Sequence, residues 1–563
     1  MPTINLNKKR VLQLADIKMS DSNLREKISF LGTDLEEVNK DEIIVEIFPN
    51  RPDLLSAEGF ARALSSFCDK KVGLRKYEKH KSNYVVNITK EVKKVRPYTA
   101  CAVVKGLKIS DEVLEDIIEI QEKLHLTYGR NRKRCAIGVY PVEVIKFPIK
   151  YTALQPKKIK FKPLESDREM NGTQILQRHE KGKEYAHLLE GQTKYPVFID
   201  ANKEILSMPP IINSEKTGKV KYTTTEMFVE CSGFEFHVVS KALNMLVTAF
   251  SDMGAKIYEV NLKYEEGKPK KISTPEIEPK KVNLSINYVN KYIGSNLKSS
   301  EIIKALKKMG FDSSKGKKED KLIVLVPNYR ADILHQIDLV EDIAIGYGYN
   351  NIKEIDKRVY NTGKESYSEK VKRKMRDIFS GHGLIETYNL SLYNLKEQEK
   401  IYSNNKIVKI TNSVSLEYNS MRFGITPSLL KTLKNNKQYE YPQNIFEIGK
   451  IFLLNEKEET NVEENNALGV LFCSEDSGFT KAKQHLDSLF EGLNLKYNLE
   501  KNESNIFLKG RSAKIIFEKE IIGEIGEVDP KILEEFQIEM PTSGFEIKLE
   551  KVFEVLKKLN EVI

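Results

Sequence analysis

Two hydrophobic spacings run through this chain. Short alternating or continuous apolar runs predict strands at 43–48, 100–105, 136–140, 227–231, 321–326, 467–473, 513–518 and 521–528. Apolar positions three and four residues apart predict helices at 56–67, 237–253, 299–309 and 370–379, with Gly310 stopping the third. Asp53 or Ser56 is placed to cap the first helix. Arg51, in the turn before it, is placed to hold that turn or to touch RNA, and the structural role is the better fit.

One more helical pattern stands apart. In Arg330-Ala-Asp332-Ile-Leu-His-Gln-Ile-Asp338-Leu-Val-Glu341-Asp342, four carboxylates fall within eleven residues. Asp338, Glu341 and Asp342 stand at i, i+3 and i+4, which puts them on one face of a helix. Ile333, Ile337, Val340 and Ala344 form the opposite, apolar stripe, and Asp332 is the expected N-cap. Crowded carboxylates repel one another, so positive charge is expected beside them. On spacing alone two readings stand level. One is a Mg2+ site, since that cation takes oxygen ligands and few of them from protein. The other is a solvated acidic helix start, favoured by the positive end of the helix dipole.

The elements assemble into an α+β multidomain chain. Residues 1–85 read as an N-terminal α/β module and 86–275 as a second α/β module of alternating strands and helices. Residues 276–353 form a small module ending in the acidic helix, and 354–563 a C-terminal antiparallel core. The latter part of 263–281 is expected to be a linker, 351–368 a polar connection, and 455–466 an acidic hairpin loop. No internal repeat is visible.

Composition narrows the class. The 563 residues are 40 % apolar and 31 % charged, normal for soluble globular domains. No run is long and apolar enough to span a membrane, and the N-terminus lacks the apolar core of a signal peptide. Five cysteines are scattered singly, so no disulfide framework or cysteine metal pair is expected, and a reducing cytoplasm fits best. The formal charge of +10 is a modest excess. Arg130-Asn-Arg132-Lys133-Arg134 and Lys157-Lys158-Ile-Lys160-Phe-Lys162 concentrate it, as phosphate-binding patches or as solvated basic faces.

Four ordered segments then resemble one family. They are Asn50-Arg-Pro-Asp-Leu-Leu-Ser56-Ala-Glu-Gly59; Glu190-Gly-Gln192 with Ser207-Met-Pro-Pro-Ile-Ile-Asn213-Ser214; the acidic helix followed by Ile345-Gly-Tyr-Gly-Tyr-Asn350; and Arg422-x-x-Ile-Thr-Pro427-Ser-Leu-Leu with Ile445-Phe-Glu-Ile-Gly449. Together they resemble the β subunit of phenylalanyl-tRNA synthetase, in its archaeal and eukaryotic form. The resemblance implies an α2β2 heterotetramer with an α subunit, tRNA(Phe) as partner, ATP used by the complex, and no membrane. It also implies that Asp332, Asp338, Glu341 and Asp342 hold a Mg2+ shared with the α subunit.

The same resemblance makes 354–563 a class II synthetase-like core that is catalytically silent. An active core needs an arginine on a strand to hold the α-phosphate of ATP. The matching strand here reads Asn444-Ile-Phe-Glu447-Ile-Gly449, and the last strand Ser543-Gly-Phe-Glu-Ile-Lys-Leu549, neither with an arginine.

The middle module is implied to be an editing domain. A pocket shaped for phenylalanine rejects tyrosine poorly, because tyrosine only adds a hydroxyl, so a second site must hydrolyse Tyr-tRNA(Phe). Read from residues alone, 207–214 is a tight proline turn with Asn213 satisfying backbone groups. With the resemblance, Ser207 and Asn213 flanking Pro209-Pro210 become the candidate editing residues. Phe198 is the expected apolar wall, and His179 and Glu230 are further candidates for orienting water. No Ser-His-Asp or Cys-His nucleophile arrangement is visible, so a positioned water is the expected attacker. Two rival readings remain: a non-catalytic nucleic-acid-binding scaffold, and a freestanding aminoacyl-tRNA editing hydrolase.

Overall fold

The computed structural model describes residues 2–266, 270–316, 318–354, 361–402 and 406–559. It divides into two compact units, residues 1–356 and 357–563.

The first unit begins with a three-stranded antiparallel sheet, Thr3–Asn7, Glu42–Glu46 and Asp34–Val38 in spatial order. The Ala57–Phe67 helix packs against the Lys8–Ala15 helix, and Ser56 is its N-cap, accepting from Gly59 N at 3.1 Å. Asp53 does not cap. Arg51 holds it through two parallel bonds of 2.9 Å, both side chains buried. Arg51 therefore fixes the turn.

The middle of the unit is one continuous sheet whose path bends back on itself. Its strands run Ile212–Asn213, Ile205–Met208, Tyr195–Ile199, Ile149–Leu154, Val85–Ile88, Lys256–Tyr264, Tyr98–Lys105, Glu226–Gly233, Cys135–Pro141. Lys256–Tyr264 joins the two halves. Its first residues pair antiparallel with Tyr98–Lys105, Glu259 opposite Ala102, and its last residues pair parallel with Val85–Ile88, Asn261 opposite Val85. The inner faces enclose a core of Tyr140, Tyr151, Phe198, Leu206 and Phe228. Tyr151 and Phe198 stack at 4.3 Å between ring centres. The two ends of the path thus meet: Tyr140, on the last strand, touches Ser207, near the first.

Residues 271–274, expected in a linker, instead form a strand that hairpins onto Lys256–Tyr264. The connection to the next module is 275–279. From Lys280 a three-stranded sheet (Lys280–Ser285, Lys321–Val326, Asp312–Lys315) carries three helices, the last being Gln336–Tyr347. One hydrophobic core runs from Ile4 to Ile343, so the N-terminal, middle and acidic-helix parts share an interior. Buried charge pins them as well. Arg62 of the first part donates to Asp252 at 2.7 Å and lies 4.0 Å over the ring of Tyr329.

The second unit is a seven-stranded sheet in the order Ile385–Glu386, Gln443–Leu454, Val462–Cys473, Thr542–Lys548, Glu520–Val528, Phe507–Phe517, Asn498–Lys501. All pairs are antiparallel except the first. Alternation along Val462–Cys473 explains the layers. Leu468, Val470 and Phe472 face the helices Tyr367–Gly381, Phe479–Gly492 and Glu550–Lys558, while Ala467, Leu471 and Cys473 face Thr426–Asn435. The hairpin loop is 455–461, shorter than expected, because both strands run on and pair Lys450 with Asn466. Among the described residues no helix is long and apolar enough to cross a membrane.

Candidate functional site

A cleft of about 400 Å3 opens at the seam where the middle sheet meets itself. The Asp111–Leu126 helix forms one wall with Leu114, Ile117 and His125; Ile137 and Val139 form the floor; the Pro209–Asn213 segment forms the other wall. The bond between Pro209 and Pro210 is cis. Of the residues singled out from the sequence, Asn213, His179 and Glu230 line this cleft. Ser207 lies behind it, fully buried. Phe198 does not form the wall. It lies in the sheet's inner core, stacked on Tyr151, and the wall is aliphatic and proline-built instead.

Tyr140 ties these groups together. Its hydroxyl lies 2.7 Å from Ser207 Oγ and 3.3 Å from both Asn213 Oδ1 and Glu230 Oε1. In each contact Tyr140 is the donor, so its single phenol proton is shared among Ser207 Oγ, Asn213 Oδ1 and Glu230 Oε1. Burial pushes the Glu230 carboxyl up to about 8, against the opposing charge of Arg96 and the hydrogen bonds from Tyr140 and Ser232. Glu230 Oε2 is buried without a partner among the described residues. Gly138 makes the crossing possible. A Cβ there would stand 2.2 Å from the Tyr140 hydroxyl and 2.7 Å from Glu230 Oε1.

Two histidines face the same space. His179 Nε2 is bonded to the Leu164 carbonyl at 3.1 Å, which puts its proton there and leaves Nδ1 as an acceptor. His125 accepts from Ile137 N through Nε2 at 2.8 Å, and burial lowers its pKa, so the ring is neutral. Tyr140 and His125 were not singled out from the sequence. Each sits inside a regular element at an apolar-reading position, and nothing local marks either as chemical.

At one rim Arg130, Asn131 and Arg132 adopt left-handed φ values of 50°, 51° and 64° in succession. Such backbone costs an L residue roughly 1–2 kcal/mol each, and is common only as single residues. Arg132 turns inward, donating to Ile211 O at 2.9 Å and to Glu122 at 3.0 Å.

The acidic helix differs from its sequence reading. It spans Gln336–Tyr347, and its N-cap is His335, not Asp332. Asp338 Oδ2 accepts from Leu334 N at 2.8 Å and His335 N at 2.7 Å, so Asp338 closes the helix start. Asp332 is engaged by Arg330 through bonds of 2.8 and 2.6 Å, and the same guanidinium reaches Asp342 at 2.7 Å. The positive group beside these carboxylates is therefore Arg330. Asp342 is buried while Glu341 is exposed, and burial raises the Asp342 carboxyl although Arg330 opposes it. The apolar stripe is Leu339, Val340, Ile343 and Ala344. Ile333 precedes the helix, and Ile337 is exposed. Among the described residues no group of three or more His, Cys, Asp or Glu stands ready to hold a metal. The bonds to Asp338 and Asp342 fall on Oδ2 of each.

In the second unit, Arg422 is buried, donating to Glu447 Oε1 at 2.5 Å and to Lys450 O at 2.7 Å. Glu447 also accepts from Asn389 at 2.8 Å. Neither Gln443–Leu454 nor Thr542–Lys548 carries an arginine.

Family models place both regions in one class, the aminoacyl-tRNA synthetases. The tRNA synthetase B5 domain matches residues 282–349, and the phenylalanyl tRNA synthetase beta chain CLM domain matches 354–549. The phenylalanine–tRNA ligase β subunit of Pyrococcus furiosus is 39 % identical over 90 % of both chains, and that of Methanococcus aeolicus 35 % identical over 98 % of this chain and all of the relative. The crystal structure of an N-terminal fragment of the Pyrococcus horikoshii phenylalanyl-tRNA synthetase β subunit superimposes with a TM-score of 0.58 at 36 % identity, covering 62 % of this chain and the whole fragment. The chain belongs to the phenylalanine–tRNA ligase β subunit family.

Proposed function

We propose that the cleft hydrolyses Tyr-tRNA(Phe), and that the second unit rests against an α subunit, in an α2β2 complex, which holds the ATP site and attaches phenylalanine to tRNA(Phe). The observation that carries the reading is the cleft itself: apolar walls, with Asn213 and Glu230 in its lining, both held from behind by the buried Tyr140 hydroxyl. A tyrosyl ring fills the apolar volume. Its phenol pairs with Asn213, which phenylalanine leaves unpaired. Water attacks the ester carbonyl while Glu230 Oε2, in its ionised form, takes the proton, and the ribose oxygen leaves with a proton from solvent. Ser207 acts through Tyr140, fixing the phenol that holds Glu230.

For Mg2+, our reading takes the exposed Glu341 and Asp338 Oδ1, which suits a cation that takes one or two carboxylates and fills its shell elsewhere. Asp332 bonds Arg330 through both oxygens and Asp342 through one, so this reading gives them the guanidinium as counter-charge. Bound there, Mg2+ would supply positive charge between this helix and the α subunit. On the second unit, Ile385, Tyr388, Leu390, Val414 and Leu416 are all exposed, apolar side chains of the kind an obligate partner covers. This favours the ligase over a freestanding hydrolase.

The test is deacylation of preformed Tyr-tRNA(Phe) by the assembled enzyme. Asn213→Ala and Ser207→Ala should each slow it, by roughly tenfold to a hundredfold for one buried hydrogen bond of about 1–3 kcal/mol. Phenylalanine charging should be unchanged. Wild-type deacylation by the double variant would place the editing site elsewhere.

A further inference from the structure

The proposed hydrolysis leaves one singular feature unused: the left-handed turn at 130–132 beside the cleft. Strained backbone persists only where its surroundings impose it. Here they do. Asn131 N bonds to Leu126 O at 3.3 Å, Arg132 N to His125 O at 3.1 Å, and Arg134 N to Gly129 O at 2.8 Å. From below, the buried Arg96 guanidinium donates to the carbonyls of Arg132 at 3.2 Å and Lys133 at 3.5 Å. Arg132 is drawn into the cleft wall, where it lies 4.4 Å over the Tyr185 ring.

The result is a rigid rim that presents Arg130 and Lys133 to solvent. Among the described residues neither is paired with a carboxylate. Phe234 stands next to this rim, half exposed, with Arg96 at 5.4 Å from its ring. It lies four residues beyond Glu230, just past the end of the same strand. Cations without counter-charges bind phosphates, and an exposed aromatic ring beside them stacks a base. An ester held at Glu230 must leave its nucleotides outside the cleft.

We propose that Arg130, Lys133 and Phe234 form a clamp for the single-stranded 3′ end of an aminoacyl-tRNA, the two cations taking backbone phosphates and Phe234 one base. The assignment rests on the hydrolytic reading of the cleft for its substrate. The clamp sets how the RNA is held, and Glu230 what happens to its ester.

The full chain, wild type and Arg130→Asn/Lys133→Gln, is titrated with a short single-stranded RNA ending in CCA at several salt concentrations. Asparagine tolerates the left-handed backbone, so the turn is kept. Loss of two phosphate contacts should weaken binding and flatten the slope of log K against log salt by about 1.4. Phe234→Ala should weaken it roughly tenfold with the slope unchanged. In deacylation of Tyr-tRNA(Phe) the loss should appear in KM, not kcat, and hydrolysis of tyrosine methyl ester should keep its wild-type rate. Equal RNA affinity and salt slope in variant and wild type would overturn the clamp, as would a parallel loss of ester hydrolysis. RNA binding through the turn by a wild-type chain that hydrolyses neither ester would keep the clamp and remove the hydrolytic reading.

Discussion

Glu230 shows how far one side chain's behaviour departs from its type. A free glutamate is ionised at neutral pH, but this one is held protonated up to about pH 8 by burial. Two outcomes follow. As the base, it must ionise, so the deacylation rate should climb with pH and level off near 8, and Glu230→Gln should abolish the enzymic rate and its profile. For stability, the folded state keeps a proton that the unfolded chain loses near the ordinary glutamate pKa. Stability is therefore fully present below that range and is lost as pH rises through about 8. Thermal melts of wild type and Glu230→Gln from pH 5 to 9 should show the wild type losing ground to the variant as pH rises; parallel curves would mean an ordinary carboxylate. Glu230 was legible as a polar residue in an apolar run, and Asn213 as a polar residue beyond a stiff Pro-Pro. Tyr140 was not legible, since a tyrosine ending a strand reads as core until its hydroxyl's neighbours are known.

At the scale of the element, the Gln336–Tyr347 helix shows what spacing reveals and what it hides. Periodicity located the helix, but not which carboxylates are free, because that depends on Arg330 folding back from the preceding turn. The start was misplaced for the same reason: Asp332 looks like a cap and is an ion-pair partner. Arg330→Met leaves Asp332 and Asp342 uncompensated and should cost about 3–5 kcal/mol, read by denaturant unfolding. Glu341→Ala, at an exposed position, should cost less than about 0.5 kcal/mol yet weaken Mg2+-dependent assembly with the α subunit. Equal stability of the two variants would contradict the roles given to them.

For the whole molecule, single elements such as the 321–326 strand and the 299–309 helix were legible, because period-2 and period-3.6 patterns survive in single segments. The seam was not. It unites Tyr140 with Ser207, 67 residues apart, and no local pattern encodes where a curling sheet meets its own end. In the second unit, Arg422 is spent on Glu447 and the two strands beside it lack arginine. The isolated chain should therefore give no ATP–pyrophosphate exchange with phenylalanine, and exchange should appear on adding the α subunit. Exchange by the pure chain would show an ATP site that this sheet was not expected to have.

The joining strand of the middle sheet also sets an order of events during synthesis. Val85–Ile88 and Tyr98–Lys105 leave the ribosome early, yet the strand that lies between them, Lys256–Tyr264, comes more than 150 residues later. Until it arrives, both halves carry an unpaired inner edge, the kind of surface that recruits other chains. The nascent chain must therefore keep two half-sheets apart while some 150 residues are still being made, and the cleft comes into being only when the joining strand closes the gap.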